Sequence, residues 1–307
     1  MHFDYLLAQK MLEDAQPGET ISVPAQIQYP SVLTAQELEK SLFRDVLGSY
    51  TTYVSGSKGR LGNVQLSAGF CNGVILNSGE VFDYNKVIGK RTYSAGYQDA
   101  PAYLNGETVD LIGGGICQTS STLYVAAVYS NLEIVSRRNH SFASTYVPLG
   151  YDATVSWGGP EFQFKNNTDY PIRIEVSWSG RNLTMKILGT NVSGEYARLE
   201  TVTLEKIPYE VRYEDSADLA PGQERVKQTP YTGYRCKTYR LVYSADGTLL
   251  SRTLESSSNY KKRDKIILRG PEAAQPSESE QPQQPQEEPP LEQPAEETVG
   301  EDWSWLW

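Results

Sequence analysis

Histidine is nearly absent from this chain. Two occur in 307 residues, His2 and His140. His2 stands at a chain end, where residues are seldom held in place, so chemistry that needs an imidazole must use His140. Cysteine is almost as scarce. Cys71, Cys117 and Cys236 form an odd, small set that is no disulfide framework, and no spacing resembles a zinc site. No metal and no cofactor is therefore expected. There is no apolar run of about 18 residues that would cross a membrane. The opening Met1-His2-Phe3-Asp4 lacks the basic and apolar stretches of a signal peptide, which reads as cytoplasm or as a chain without its natural N-terminus. No basic patch stands out, which argues against nucleic acid as a partner. Basic residues vanish altogether after Gly270. The stretch 271–307 holds ten acidic residues and no basic one, so it carries the whole formal charge of -10 and residues 1–270 are neutral.

What is present points to α+β structure. Twenty-one tyrosines, many in alternating runs, favour strands, and a hydrophobic content of 39% supports a core despite a mean hydropathy of -0.49. Residues 1–33 look like the remnant of a preceding domain, too short to stand alone. Thr34-Ala35-Gln36-Glu37 has a capping-box pattern, and Leu38, Leu42, Phe43 and Val46 follow at helical spacing to a stop at Gly48. A second helix is predicted from Leu61 to Asn72, with Cys71 as a buried small hydrophobe. A hairpin turns at Asn105-Gly106. After a further helix come alternating runs at Leu132–Val135, Arg137–Ser141, Ser144–Val147, Tyr151–Trp157, Glu161–Lys165, Ile172–Val176 and Leu183–Ile187. Helices followed by a largely antiparallel sheet define an α+β domain over 34–195. Residues 200–270 read as a small all-β module of long strands, with Cys236 as packing. Residues 271–307, rich in Glu, Gln and Pro, are expected to be disordered, and Trp303-Ser304-Trp305-Leu306-Trp307 is read as a tolerated terminus.

Gly113-Gly114-Gly115-Ile116-Cys117-Gln118-Thr119-Ser120-Ser121-Thr122-Leu123-Tyr124 reads as a glycine loop turning into a helix with Cys117 in its first turn. Free N–H groups and the positive end of the helix dipole favour an anion there, which gives the thiol a reason to ionise. Gly113, Gly114 and Gly115 are accordingly candidate ligand-binding residues. His140 follows 23 residues after Cys117, and Asp152 another 12 residues on. Placed on neighbouring strands against the helix, the three would meet as nucleophile, base and orienting acid. The N–H of Cys117 or Gln118, or the Gln118 side chain, would stabilise an oxyanion. The order is similar to that of the papain and transglutaminase thiol enzymes, a likeness of architecture. The bland alternatives are glycines that allow close packing, an inert buried cysteine, a backbone-bonded histidine and an aspartate capping a turn.

Several motifs carry a family resemblance. They are Gly79–Gly89, Gly113–Tyr124, Arg137–Ser141, Tyr146–Val155 and Phe162–Thr168. In order and over about residues 45–190, they resemble the VanW-like family, named after an accessory protein of vancomycin-resistance clusters. Residues 200–270 are more weakly similar to the G-five-type β module attached to cell-surface proteins. Residues 1–33 resemble the end of a putative peptidoglycan-binding domain. The resemblance implies a bacterial cell-envelope protein, normally anchored by an N-terminal helix that would have to be missing from this chain. Family members often carry a second histidine near position 138, where this chain has Arg138. Two functions remain open: a cysteine-dependent amide hydrolase or transpeptidase acting on peptidoglycan, or a non-catalytic peptidoglycan-binding or scaffold protein.

Overall fold

The computed structural model describes residues 2–3, 5–23, 25–26, 42–104 and 107–271. Near the N-terminus β1 (His2–Phe3) and β2 (Ala25–Gln26) pair antiparallel across a helix at Tyr5–Glu13 that buries none of its residues. β3 (Asp45–Tyr53) corrects the first helix prediction. Val46 and Gly48, expected at a helix end, lie inside a strand that pairs with Asn182–Gly189. Gly48 also sits so close to the later helix that a Cβ would lie 2.5 Å from the Ala126 carbonyl and the Ser130 hydroxyl. Strand pairing and this close approach override a weak local spacing. The capping-box residues Thr34–Glu37 and Leu38 lie outside the described residues.

The next helix, Lys58–Cys71, starts three residues before the predicted position, because Ser57 caps it by accepting the Arg60 N–H at 3.2 Å. Asn63, Val64, Ser67, Ala68 and Cys71 form its buried stripe. β4 (Ile75–Leu76) and β5 (Val81–Asp83) follow, then an unforeseen short helix at Tyr84–Ile88 capped by Asp83. β6 (Asp99–Leu104) and β7 (Glu107–Ile112) form the expected hairpin, with Leu104 opposite Glu107; Asn105-Gly106 lie outside the described residues. The helix at Ile116–Tyr129 carries Cys117. It buries almost every side chain, from Gln118 to Val128, as a helix enclosed on all sides does.

β8 (Glu133–Ser136), β9 (Gln163–Lys165), β10 (Ile172–Ser179) and β11 (Asn182–Gly189) complete this part. Two antiparallel sheets result, ordered β3-β11-β10-β4 and β5-β9-β8. The Cys117 helix packs on β3 and β11, joining Leu123, Val125 and Ala126 to Leu183, Met185 and Ile187 in one core. The largest departure from expectation lies between β8 and β9. Arg137–Ser141, Ser144–Val147 and Tyr151–Trp157 were predicted as strands, yet none of them forms one. Their backbone groups are taken instead by side chains: the Ala153 N–H by Ser121, the Ala153 carbonyl by Ser120, and the His140 N–H by Asp152.

The C-terminal module comprises β12 (Tyr196–Ile207), β13 (Val211–Asp215), β14 (Glu224–Gln228), β15 (Gly233–Tyr243), β16 (Leu249–Tyr260) and β17 (Lys265–Arg269). They make two thin sheets, β12-β15-β16 and β13-β17-β14, the second containing one parallel pair, β13 with β17. The molecule as described is mostly β with few helices. The acidic tail lies outside the described residues.

Candidate active site

The helix start is built for close packing. A Cβ at Gly114 would sit 2.2 Å from the Ala100 carbonyl oxygen, and one at Gly115 would meet the Arg60 side chain at 2.8 Å, with Gly115 itself at φ 104°. Glycine alone fits there. The Gly113 and Gly114 N–H groups donate to the Gln98 and Leu111 carbonyls. These two glycines therefore offer no cradle to a ligand, contrary to the expectation from sequence; their role is to bring the helix start against the β6–β7 hairpin.

Cys117 is half-buried. Its Sγ accepts from the Val155 N–H at 3.5 Å, donates to the Val155 carbonyl at 3.4 Å, and lies 3.8 Å from the Thr154 hydroxyl. Burial pushes the thiol up, but hydrogen bonding and charge from His140, with the Val155 and Thr154 contacts, outweigh it and leave the thiol below its ordinary value. His140 is half-buried too. Burial pulls the imidazole down, and the hydrogen bond to Asp152 together with the neighbouring Cys117 sulfur reverses this and raises it to about 9. The two shifts run in opposite directions, the thiol down and the imidazole up, as neighbouring groups that stabilise each other's charged forms do.

Asp152 organises the centre. Its side chain is fully buried, and four donors converge on it. Oδ2 accepts from His140 Nδ1 and from the His140 backbone N–H, both at 2.6 Å. Oδ1 accepts from the Arg137 guanidinium at 3.0 Å and from the Tyr260 hydroxyl at 2.5 Å. Burial raises this carboxyl, yet His140 and Arg137 hold it below the usual carboxylate range. His140 Nε2 is turned toward Tyr146, whose hydroxyl lies 3.5 Å away. The sequence thus places all three of Cys117, His140 and Asp152 together, but on a helix and two irregular segments rather than on a helix and two strands.

Gln118 does not face the sulfur. It is 1% exposed, its amide hydrogens go to Thr52 Oγ1 and the Tyr53 carbonyl, and its oxygen accepts from Arg60. Its backbone N–H is used by the Gly115 carbonyl. Gln118 therefore ties the helix start to β3 and is not free to hold an oxyanion. Arg137, Tyr146 and Tyr260 were not singled out from sequence. Arg137 lay within a noted motif, whereas Tyr260 sits 108 residues beyond Asp152 with no local signal at all. A polar cleft of about 590 Å³, lined by residues including Tyr124, Arg137, Arg240 and Glu255, opens between the two halves of the molecule. Among the described residues, no group of three or more His, Cys, Asp or Glu side chains is placed to hold a metal ion.

Fold and site together define a two-part protein: a mixed domain centred on a Cys–His–Asp arrangement, followed by an all-β module. Residues 59–188 match the family described as VanW like protein, and residues 199–272 match the G5 domain. The chain carries a VanW-like domain followed by a G5 domain. It is 38% identical over 200 residues to the uncharacterized protein YoaR of Bacillus subtilis (strain 168), a stretch covering 65% of each chain. It is 29% identical over 120 residues to the vancomycin B-type resistance protein VanW of Enterococcus faecalis (strain ATCC 700802 / V583), covering 38% of this chain and 44% of that one. The matches thus span less than two thirds of either relative. The solved IgA1 protease G5 domain is similar at 26% identity, over 27% of this chain and 96% of that one, with a TM-score of 0.20.

Proposed function

We propose that this protein is a cell-envelope thiol enzyme acting on an amide bond of peptidoglycan peptides. The Cys117 thiolate attacks the carbonyl carbon. The C–N bond breaks as the His140 imidazolium gives its proton to the departing amine, leaving a thioester on Cys117. Water, or an amine of a second peptide, then attacks the thioester. His140 takes the proton of the attacking group, and the thiolate is restored. Attack by water makes the protein a hydrolase; attack by an amine makes it a transpeptidase. Asp152 holds the imidazole in one tautomer and supports its charge. The Cys117 N–H, in the first turn of its helix, is the donor offered to the oxyanion, and Gln118 positions that turn. The order of helix-borne Cys, then His, then Asp is similar to that in papain-like and transglutaminase-like enzymes.

One observation carries this reading: Asp152 Oδ2 binds both the ring and the backbone of His140, while His140 in turn lowers the thiol of Cys117. The envelope setting and the substrate class rest on the VanW-like and G5 matches and on the name of the resistance protein. The test is turnover of purified sacculi by the full chain, followed by mass spectrometry of the peptides. The expected result is new cross-links or released amines with the wild type and a loss of roughly a thousandfold or more in Cys117→Ala. A Cys117→Ala protein that folds and keeps full turnover would overturn the proposal.

A further inference from the structure

The segments that carry His140 and Asp152 form no strands of their own. They are held on one side by the Cys117 helix, through Ser120 and Ser121, and on the other by the C-terminal β module. The Tyr260 hydroxyl, at the end of β16, donates to Asp152 Oδ1 at 2.5 Å and accepts the Gly150 N–H at 2.7 Å. Tyr260 is 1% exposed. Ser258, two residues earlier on the same strand, accepts from the Arg137 guanidinium at 3.1 Å; the same guanidinium binds Asp152 Oδ1 and the Asp152 and Gly150 carbonyls. Asn139 donates to the Asn259 carbonyl at 3.1 Å, and the Lys261 N–H to the Ser141 carbonyl at 2.7 Å. Thr201 on β12 donates to the Leu149 carbonyl at 2.7 Å.

We infer that Tyr260 of the β module is a positioning residue for the Cys117–His140–Asp152 arrangement, so that the β module completes the site. This rests on the reading of Cys117 as nucleophile. A carboxylate buried among few donors favours its neutral form. Tyr260 and Arg137 together saturate Oδ1, which keeps Asp152 charged and leaves Oδ2 aimed at His140. Without the Tyr260 hydroxyl, Oδ1 keeps one donor and the Gly150 N–H loses its acceptor. The carboxylate then supports the imidazolium less well, and the imidazolium supports the thiolate less well.

The test is the rate of iodoacetamide labelling at Cys117 against pH, measured on the full chain by peptide mapping. The wild type should titrate below the ordinary thiol value of about 8.5. In Tyr260→Phe the midpoint should rise by about one pH unit, with labelling at neutral pH slowed about tenfold. Thr201→Val removes a contact between the same two parts without touching Asp152 and should leave the profile unchanged. Should Tyr260→Phe fail to fold, Ser258→Ala replaces it, with a smaller shift expected in the same direction. A wild-type profile in Tyr260→Phe, or an equal shift in Thr201→Val, would overturn the positioning role alone. An ordinary thiol profile in the wild type would overturn the nucleophile reading and this inference with it.

Discussion

Asp152 is the residue on which the site depends. It is buried with four donors, two of them from His140 and one a guanidinium that is itself nearly buried. Removing the charge leaves Arg137 without its ion-pair partner, and breaking such a buried pair costs about 3–5 kcal/mol. Asp152→Asn should therefore lower the unfolding free energy by that order in urea titration, and should also move Cys117 labelling to higher pH. The pH dependence of stability has a definite sign. His140 is raised to about 9 in the folded protein, against about 6.5 unfolded. Its contribution is fully present below about pH 6.5 and is lost as pH rises through about 9. Cys117 is lowered, so its contribution is present above the ordinary thiol value and is lost as pH falls through its folded value. The difference in unfolding free energy between wild type and His140→Asn should shrink as pH rises through about 9, which denaturation across that range would measure.

At the scale of elements, the Cys117 helix explains both what the sequence revealed and what it hid. Cys117 and His140 were legible through scarcity, since one usable histidine left no competitor. The helix itself was legible from its glycine start and its apolar run. The run Thr119–Thr122 was readable only as helix, whereas its hydroxyls do specific work. Ser120 and Ser121 hold both backbone groups of Ala153, and Thr122 bonds Thr52 on β3. Those bonds substitute for a strand ladder, which is why Tyr151–Trp157 alternates like a strand without being one. β3 departs from the helix that local spacing predicts, because Val46 and Gly48 have no local feature that announces the partner strand β11, more than 130 residues away. The glycine loop gives a prediction at this scale. Gly114→Ala would force a Cβ into the Ala100 carbonyl, where the backbone has to move. It should cost about 1–3 kcal/mol or more in chemical denaturation, with loss of Cys117 reactivity following from displacement of the helix start.

Across the whole molecule, the two parts are joined through the site rather than beside it. Besides the Tyr260 and Ser258 contacts, Arg240 on β15 donates to the Leu132 carbonyl at 2.7 Å while paired with Glu255 at 2.8 Å, with both side chains largely buried. A Cβ at Gly150 would overlap the Thr238 side chain on β15, and Gly150 has φ 81°, so glycine lets this loop pack directly on the Thr238 hydroxyl. Parts joined in this way should unfold together. Calorimetry of the chain should give one transition for residues 42–271, and two separate transitions would contradict the interlocked arrangement. None of these junctions was legible in the sequence. The change of composition and strand length that suggests a boundary near residue 195 carries no information about which side chains cross it.

The central claim, that Cys117 forms an acyl intermediate with peptidoglycan peptides, is tested most directly by intact-mass spectrometry of the full chain quenched in acid during reaction with those peptides. The account predicts an added peptide mass on Cys117 that hydroxylamine removes and that is absent from Cys117→Ala. Turnover of the peptides with no adduct at Cys117 under any quench time, and with Cys117→Ala equally active, would contradict it.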